Sequence, residues 1–490
     1  MKTPSDLFDL VHSLSGSEKR YLKLKASFHA GPKQYLELWS ILESQPQYDP
    51  DSLARIWEQQ YSLSSLAVTK NYLYEFLLAT LEQYHASKGK KLAILTLLRR
   101  VDILFDKTLY RQCGKLLQRA RKLTLQIQSP RMELEILIWE YRILLSPKYQ
   151  GELKRSMEDI LAREAQLLQQ LSLVNAARSM RFKVESGNAP DRSGYEEWQK
   201  KFEVDLPPGL VCEYYRACAL YLRTKGRLTE AVTELKRELD LLESQIHLMT
   251  DKGFFSKYES CLETLIRTFH EMGDARAARQ YLEKLNPTQL PKPLARYDHL
   301  LIKATVLYYT LLLAHLQIKE EPVNLRQALA EVESSEYLWQ HDIRWHYIAP
   351  LLYSMAVSYR ALGEYSPAIQ KLSVFFSQTL LQERQRFFLD ATWLFMILHY
   401  ERGKLEIVET YHHSMRRRLR TGIHPEPADQ YLLKLFGHLI NSPSRDLLQH
   451  HFRAFRKKLL EMQIPLRKGV FDYIKWSGSF LHPKETLRND

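Results

Sequence analysis

Cysteine, glycine and proline are scarce in this chain, and each shortage excludes something. Four cysteines in 490 residues, Cys113, Cys212, Cys218 and Cys261, are too few to staple so long a polypeptide. No CxxC pair occurs, and the Cys212–Cys218 spacing matches no common zinc site. Cys113 and Cys218 lie in strongly apolar helical patterns, so they read as buried thiols in a reducing compartment. With only 17 Gly and 20 Pro among abundant Leu, Glu, Lys, Arg, Gln and Ala, helix is favoured over strand. Long apolar runs are also missing. The longest uncharged stretch, Ala304 to Ile318, carries two Tyr and a His and falls short of the roughly 20 apolar residues a span requires. Near the start, Asp6 and Asp9 sit where a signal peptide would have its apolar core. The expectation is a cytoplasmic protein without membrane insertion.

Catalytic signatures are lacking as well. There is no GxxxxGK[ST] phosphate loop, no GxGxxG after a strand, no HExxH and no GxSxG. His412-His413 and His450-His451 are neighbours on helices, pointing about 100° apart, which suits a surface or groove better than one shared metal. The carboxylates of Glu320-Glu321 precede Pro322 in an expected loop, with no acid or base partner evident. The aromatic run Trp339 to His346 reads as interhelix packing. No catalysis, cofactor or metal is expected.

What is present is a recurring hairpin. In Leu351–Phe376, Tyr353–Ala356–Tyr359 and Ala368–Leu372–Phe375 keep helical spacing on either side of Gly363. Gly363 falls where the first helix must stop, and glycine accepts the left-handed conformation that closes a helix. The same roles fall to Ala219, Leu222, Gly226, Leu228, Ala231 and Leu235, then to Ile266, Phe269, Gly273, Ala275, Ala278, Leu282 and Leu285. A fourth copy has Met396, His399, Gly403, Leu405, Val408 and His412. The glycines step by 47, 90 and 40, and the step of 90 leaves room for one more hairpin, around Ala328. A degenerate copy has Val101, Leu104, Tyr110, Cys113, Leu117 and Ala120 around Thr108, which takes the glycine's place.

This pattern resembles the tetratricopeptide repeat (TPR), although periods of 40 to 47 exceed the usual length near 34. The chain as a whole is similar to bacterial TPR proteins of uncharacterised function. The resemblance implies an all-α fold, an α-solenoid of antiparallel hairpins with helical caps. Residues 1–86 would form an N-terminal helical cap, 92–186 degenerate hairpins, 206–424 the repeat array, 427–476 capping helices and 477–490 a flexible tail. Within the first segment, Ser15 and Glu18 make a capping box, Asp49-Pro50-Asp51 starts a short helix, and Ser64 or Ser65 caps a longer one. That longer helix would place Val68, Tyr72, Phe76, Leu77 and Thr80 on one side, leaving Lys70, Asn71 and Tyr74 exposed. Helices are expected around Glu133–Leu145, Glu152–Leu171 and Val174–Val184. Glu185–Gly194 and Asp205–Gly209 are the candidate hinges.

In TPR-like arrays the first helix of each hairpin lines a concave groove, where arrays bind proteins. Carried over by matching positions, the groove residues would be Glu213, Arg216, Arg223, Glu263, Arg267, His270, Tyr353, Arg360, Trp393 and Tyr400. Arg, Tyr and Trp combine contact area with a polar handle, as binding hot spots require. The Lys/Asn clamp of chaperone-binding TPR proteins is not reproduced. Two basic clusters stand apart: Arg416, Arg417, Arg418 and Arg420, and Arg453, Arg456, Lys457 and Lys458 among Phe452 and Phe455. Facing one side, they would attract phosphates, and the net charge of +13 agrees with an acidic partner. The expected function is therefore a non-enzymatic scaffold that takes a peptide or helix of another protein in its groove. A nucleic-acid-associated regulator, working through the basic patch or a winged-helix-like N-terminal unit, is the alternative.

Overall fold

A computed structural model describes residues 5–27, 34–45, 48–86, 89–147, 149–151, 153, 155–202, 208–245, 252–290, 298–336, 345–377, 385–421, 427–441, 445–461 and 471–481. The fold class is all-α, and no strand occurs among the described residues. The N-terminal helices are α1 (Asp6–His12), α2 (Gly16–Ser27), α3 (Gln34–Ser44), α4 (Pro50–Glu58) and α5 (Leu63–Ala86). Next come α6 (Lys90–Asp106), α7 (Tyr110–Ile127), α8 (Pro130–Leu144), α9 (Met157–Glu185), α10 (Arg192–Lys200), α11 (Pro208–Thr224), α12 (Leu228–Ser244), α13 (Lys252–Glu271) and α14 (Ala275–Glu283). The remainder are α15 (Asp298–Lys319), α16 (Pro322–Ser334), α17 (Trp345–Ala361), α18 (Tyr365–Phe376), α19 (Gln385–Glu401), α20 (Leu405–Thr421), α21 (Pro427–Asn441), α22 (Arg445–Glu461) and α23 (Tyr473–Ser479). The chain divides into two compact units, Met1–Cys261 and Leu262–Asp490, with the division inside α13.

One backbone device recurs through both units. Gly226, Gly273, Gly363 and Gly403 all have positive φ, from 70° to 79°. At each, the glycine amide donates to the carbonyl three residues back, and the next amide donates to the carbonyl five back. This doubly hydrogen-bonded stop satisfies two of the carbonyls a helix end leaves open. Space is not what demands glycine, because an added Cβ would meet nothing within 4 Å at any of the four. The left-handed φ does. Thr108 (φ 56°) and Glu320 (φ 55°) make the same pair of bonds without being glycine. Glu320 thus divides the 90-residue interval between Gly273 and Gly363 into 47 and 43.

Packing follows the same register. Seven residues before the bend stand Val101, Ala219, Ile266, Leu313, Ala356 and Met396, all buried without exposure. Five residues after it stand Cys113, Ala231, Ala278, Leu325, Ala368 and Val408, all buried as well. In the second unit, hairpin partners α15 and α16, α17 and α18, and α19 and α20 pack together. First helices also pack on first helices, α15 on α17 and α17 on α19. The first unit shows the pattern in α6 with α7, α11 with α12, and α9 with α11. Alternation of this kind is what stacks hairpins into a solenoid.

The N-terminal helices enclose a separate core of Leu22, Leu38, Trp39, Leu53, Trp57, Leu73 and Leu77. The capping box forms, with the Ser15 amide donating to Glu18 Oε2 at 2.8 Å, and Asp49 caps α4 through the amides of Asp51 and Ser52. Four expectations need correction. Helix α5 starts at Leu63, so Ser64 and Ser65 lie inside its first turn. Its buried stripe is Leu66, Thr69, Leu73, Leu77 and Thr80, while Val68 and Tyr72 are exposed, a rotation the uniformly apolar sequence conceals. Lys70 and Tyr74 are only half-exposed. The two helices expected across 152–184 are one, α9, with no break at Ser172-Leu173. All four cysteines are free and buried. One helical segment among the described residues, Leu300–Lys319, is long and apolar enough to cross a membrane, and 56% of it is buried inside the structure.

Candidate functional site

In the first unit the site residues meet around Arg216 on α11. Its guanidinium is almost wholly buried and grips Glu238 of α12 through Nε and Nη2, at 2.9 and 3.0 Å. Nη1 donates to the Ser260 carbonyl and hydroxyl of α13, at 2.8 and 2.9 Å. One side chain thereby ties three helices. Burial works against charge on both partners; it pushes the Glu238 carboxyl up while the guanidinium pulls it back, and Glu238 in turn holds Arg216 protonated. Glu213, one turn earlier, faces Lys257 of α13 and Arg178 of α9, each at 3.4 Å. Burial raises its pKa, and those two cations more than offset it, leaving the carboxyl below its usual value. Beside them, burial pushes the Cys212 thiol up to about 12, which makes it an inert hydrophobe rather than a nucleophile.

In the second unit the centre is Arg360 on α17. It forks onto Glu401 of α19 at 3.0 and 2.6 Å, spanning adjacent hairpins. Glu401 also accepts from the indole of Trp476 on α23, at 3.1 Å. Tyr353, one face of α17 further up, accepts the main-chain N–H of Phe471 at 3.2 Å. The Phe471 ring lies under the Arg360 guanidinium, 4.7 Å from its carbon. Below, Trp476 packs edge-on against Phe452 of α22, and Phe480 stacks on Phe452 at 4.3 Å with Tyr400 nearby. Lys475 pairs with Glu320 at the bend after α15. Residues 471–481 therefore cross α15, α17, α19 and α22 on the side where Tyr353, Arg360 and Tyr400 stand. Sequence reasoning placed 477–490 in a flexible tail, whereas α23 continues to Ser479 and Ser477 is fully buried.

No protein-family model matches this chain, and no curated protein matches it. Among solved structures, the apo form of RapI matches at 14% identity and a TM-score of 0.39, covering 79% of this chain and 97% of that one.

The expected groove residues thus separate into classes. Tyr353, Arg360 and Tyr400 come together around 471–481. Glu213 and Arg216 meet in the first unit, but Arg216 faces inward. Trp393 is also inward: its indole donates to Asp429 Oδ1 at 2.9 Å, both side chains without exposure. His270 is buried and hydrogen-bonded to His315 at 2.9 Å. Glu263 and Arg267 pair with each other one turn apart on α13, at 2.9 Å, and Arg223 is half-buried. Residue type and spacing place all of these on first helices, yet neither says which side of a first helix a neighbour covers. Glu401, Phe471 and Trp476 were missed, and Phe452 was named only beside the second basic cluster. The only signal for Phe471 and Trp476 was aromatic density in Phe471–Phe480, opened by Asp472, whose carboxylate caps α23 at the Lys475 amide.

Several members of the basic clusters are engaged by neighbouring side chains. Arg418 lies over the Phe388 ring at 4.6 Å, and Lys457 and Lys458 pair with Glu461. Arg456 is half-buried beside Gly478, while Arg416, Arg417, Arg420 and Arg453 are exposed. α20 and α22 each pack on α21. Of the histidine pairs, His412 bonds to the Leu433 carbonyl at 3.0 Å and His451 stacks on His438. No cluster of three or more His, Cys, Asp or Glu suited to a metal occurs among the described residues. Residues 339–344 of the aromatic run at Trp339–His346 lie outside them.

Proposed function

We propose that this protein is a non-enzymatic scaffold of TPR-like hairpins whose second unit binds a helical or extended segment of another protein. The observation that carries this reading is the face built by Tyr353, Arg360, Tyr400 and Glu401, where side chains from two successive first helices converge. Arg360 there is fixed by Glu401, and Tyr353 and Tyr400 by packing on Phe387 and on Phe436 and Phe452, so little side-chain entropy remains to be lost on binding. The chemistry there, covered by residues 471–481 in this structure, is a hydroxyl acceptor, a carboxylate acceptor and flat aromatic walls, which recognise main-chain amides, indole N–H groups and aromatic rings. Nothing in it activates a nucleophile or stabilises a developing charge. Affinity capture with the intact chain, compared with a Tyr353→Phe/Tyr400→Ala chain, tests the reading. Retention of a partner by the first and its loss from the second supports the groove; equal retention by both places the partner elsewhere.

A further inference from the structure

We propose that residues 471–481 are a cis-acting ligand of the second unit's groove, holding the place that an Asp-capped, aromatic helical segment of a partner takes. This rests on the groove reading above. Three observations support it. The contacts are those of recognition between separate pieces: a main-chain amide read by a tyrosine hydroxyl, an indole N–H read by a carboxylate, and an aromatic ring read by a guanidinium. These contacts fall on successive hairpins, from Glu320 through Tyr353 and Arg360 to Glu401 and Phe452, so the segment runs across the array rather than along one helix.

The segment's own architecture points the same way. Helix α23 has seven residues, too few to be stable alone in water, where roughly 12 to 15 are already marginal. Its helicity is therefore supplied by the surface on which it sits. Trp476 and Phe480, four residues apart, share one face and enter the groove together, while Lys475 and Ser479 stay exposed. Phe471 and Trp476 keep 4% and 2% of their accessible surface, burial matching the core of the array itself. A competing partner segment would need the same grammar: a helix-capping acid, an aromatic four residues after the cap and another four beyond that.

The test uses the full chain and a fluorescein-labelled peptide of residues 471–481. A Phe471→Ala/Trp476→Ala chain should bind the peptide in trans at least about tenfold more tightly than the unmodified chain, whose tethered segment competes at an effective concentration in roughly the millimolar range. Adding Arg360→Ala to the opened chain should abolish that binding. If the opened chain keeps its helicity and binds no better than the unmodified one, the segment is a structural cap and the inference falls. If the double variant loses helicity, Lys475→Glu, which sets a like charge beside Glu320 on an exposed pair, substitutes for it. It should raise trans binding by a smaller factor, and no rise overturns the inference. Peptide binding to the opened chain, with no captured protein displaced by excess peptide, supports self-occupancy and instead removes the scaffold reading.

Discussion

Arg216 in the first unit and Arg360 in the second have the same chemistry and opposite fates. Each stands on the first helix of a hairpin, and each forks onto a glutamate of another helix. Arg216 is sealed: Glu238 comes from its own hairpin, and further donors go to Ser260 and the Lys257 carbonyl in the next helix. Arg360 is left with an open flank, which Phe471 covers. On the proposed reading, what separates a structural arginine from one that serves binding is therefore not the residue or its register. The deciding factor is whether the covering group belongs to the neighbouring repeat or to a segment distant in the chain.

Breaking each pair sharpens that contrast. Arg216→Ala strands a buried Glu238 carboxylate and should cost about 3–5 kcal/mol, read as a lowered denaturant midpoint; a loss below about 1 kcal/mol would mean the pair is not sealed. Arg216→Met with Glu238→Leu should recover most of it. Arg360→Ala, on a pair with more solvent, should cost only about 1–2 kcal/mol. Its main effect should be faster amide hydrogen exchange in 471–481, a change Arg216→Ala should not produce.

The bends come next in size. Thr108→Gly should stabilise the first unit by about 1 kcal/mol, because a β-branched residue is held at φ 56°. Gly363→Ala should destabilise the second by a similar amount at a site with no steric neighbour, about 1 kcal/mol. Thermal melts of the two single variants moving in the same direction would refute the shared bend geometry.

Acid should separate the units as well. In the second, burial holds His315 and His399 below the ordinary value of 6.5, with Arg279 and Arg402 adding repulsion, and neither ring nitrogen of His399 has a hydrogen-bond partner among the described residues. A depressed histidine favours the neutral folded state, so its contribution is complete above about 6.5 and is lost as pH falls below that. In the first, Arg163 holds Glu133 below the usual 4.5, and Lys257 and Arg178 overcome burial to do the same for Glu213. Depressed carboxylates stabilise above 4.5 and fail only below it. Hydrogen exchange during acidification should therefore loosen the second unit before the first, and His315→Gln with His399→Gln should narrow the gap. Simultaneous loosening in the unsubstituted chain would contradict this order.

The helical hairpins were legible because glycine announces a left-handed stop and small or apolar residues keep fixed offsets from it. Thr108 was legible by position alone. Glu320 was not, since nothing in its side chain marks a left-handed residue, and its bend hid inside a double interval. Of the site, Tyr353, Arg360 and Tyr400 could be named from register. The segment that meets them could not: Phe471 and Tyr353 are 118 residues apart, and helical periodicity carries no information at that range. Arg216, Trp393 and His270 were misplaced for a related reason. Their partners Glu238, Asp429 and His315 turn a polar side chain inward, and residue type alone gives no sign of that.

Tyr353 meets residue 471 through the peptide group, not the ring. Side-chain identity is invisible to that contact, and only an imino acid would silence it. A foreign sequence could thus make this one contact without a phenylalanine at its head, but never with proline there, so Phe471→Pro, which loses the N–H as well as the ring under Arg360, should loosen the segment further than Phe471→Ala, which loses the ring alone.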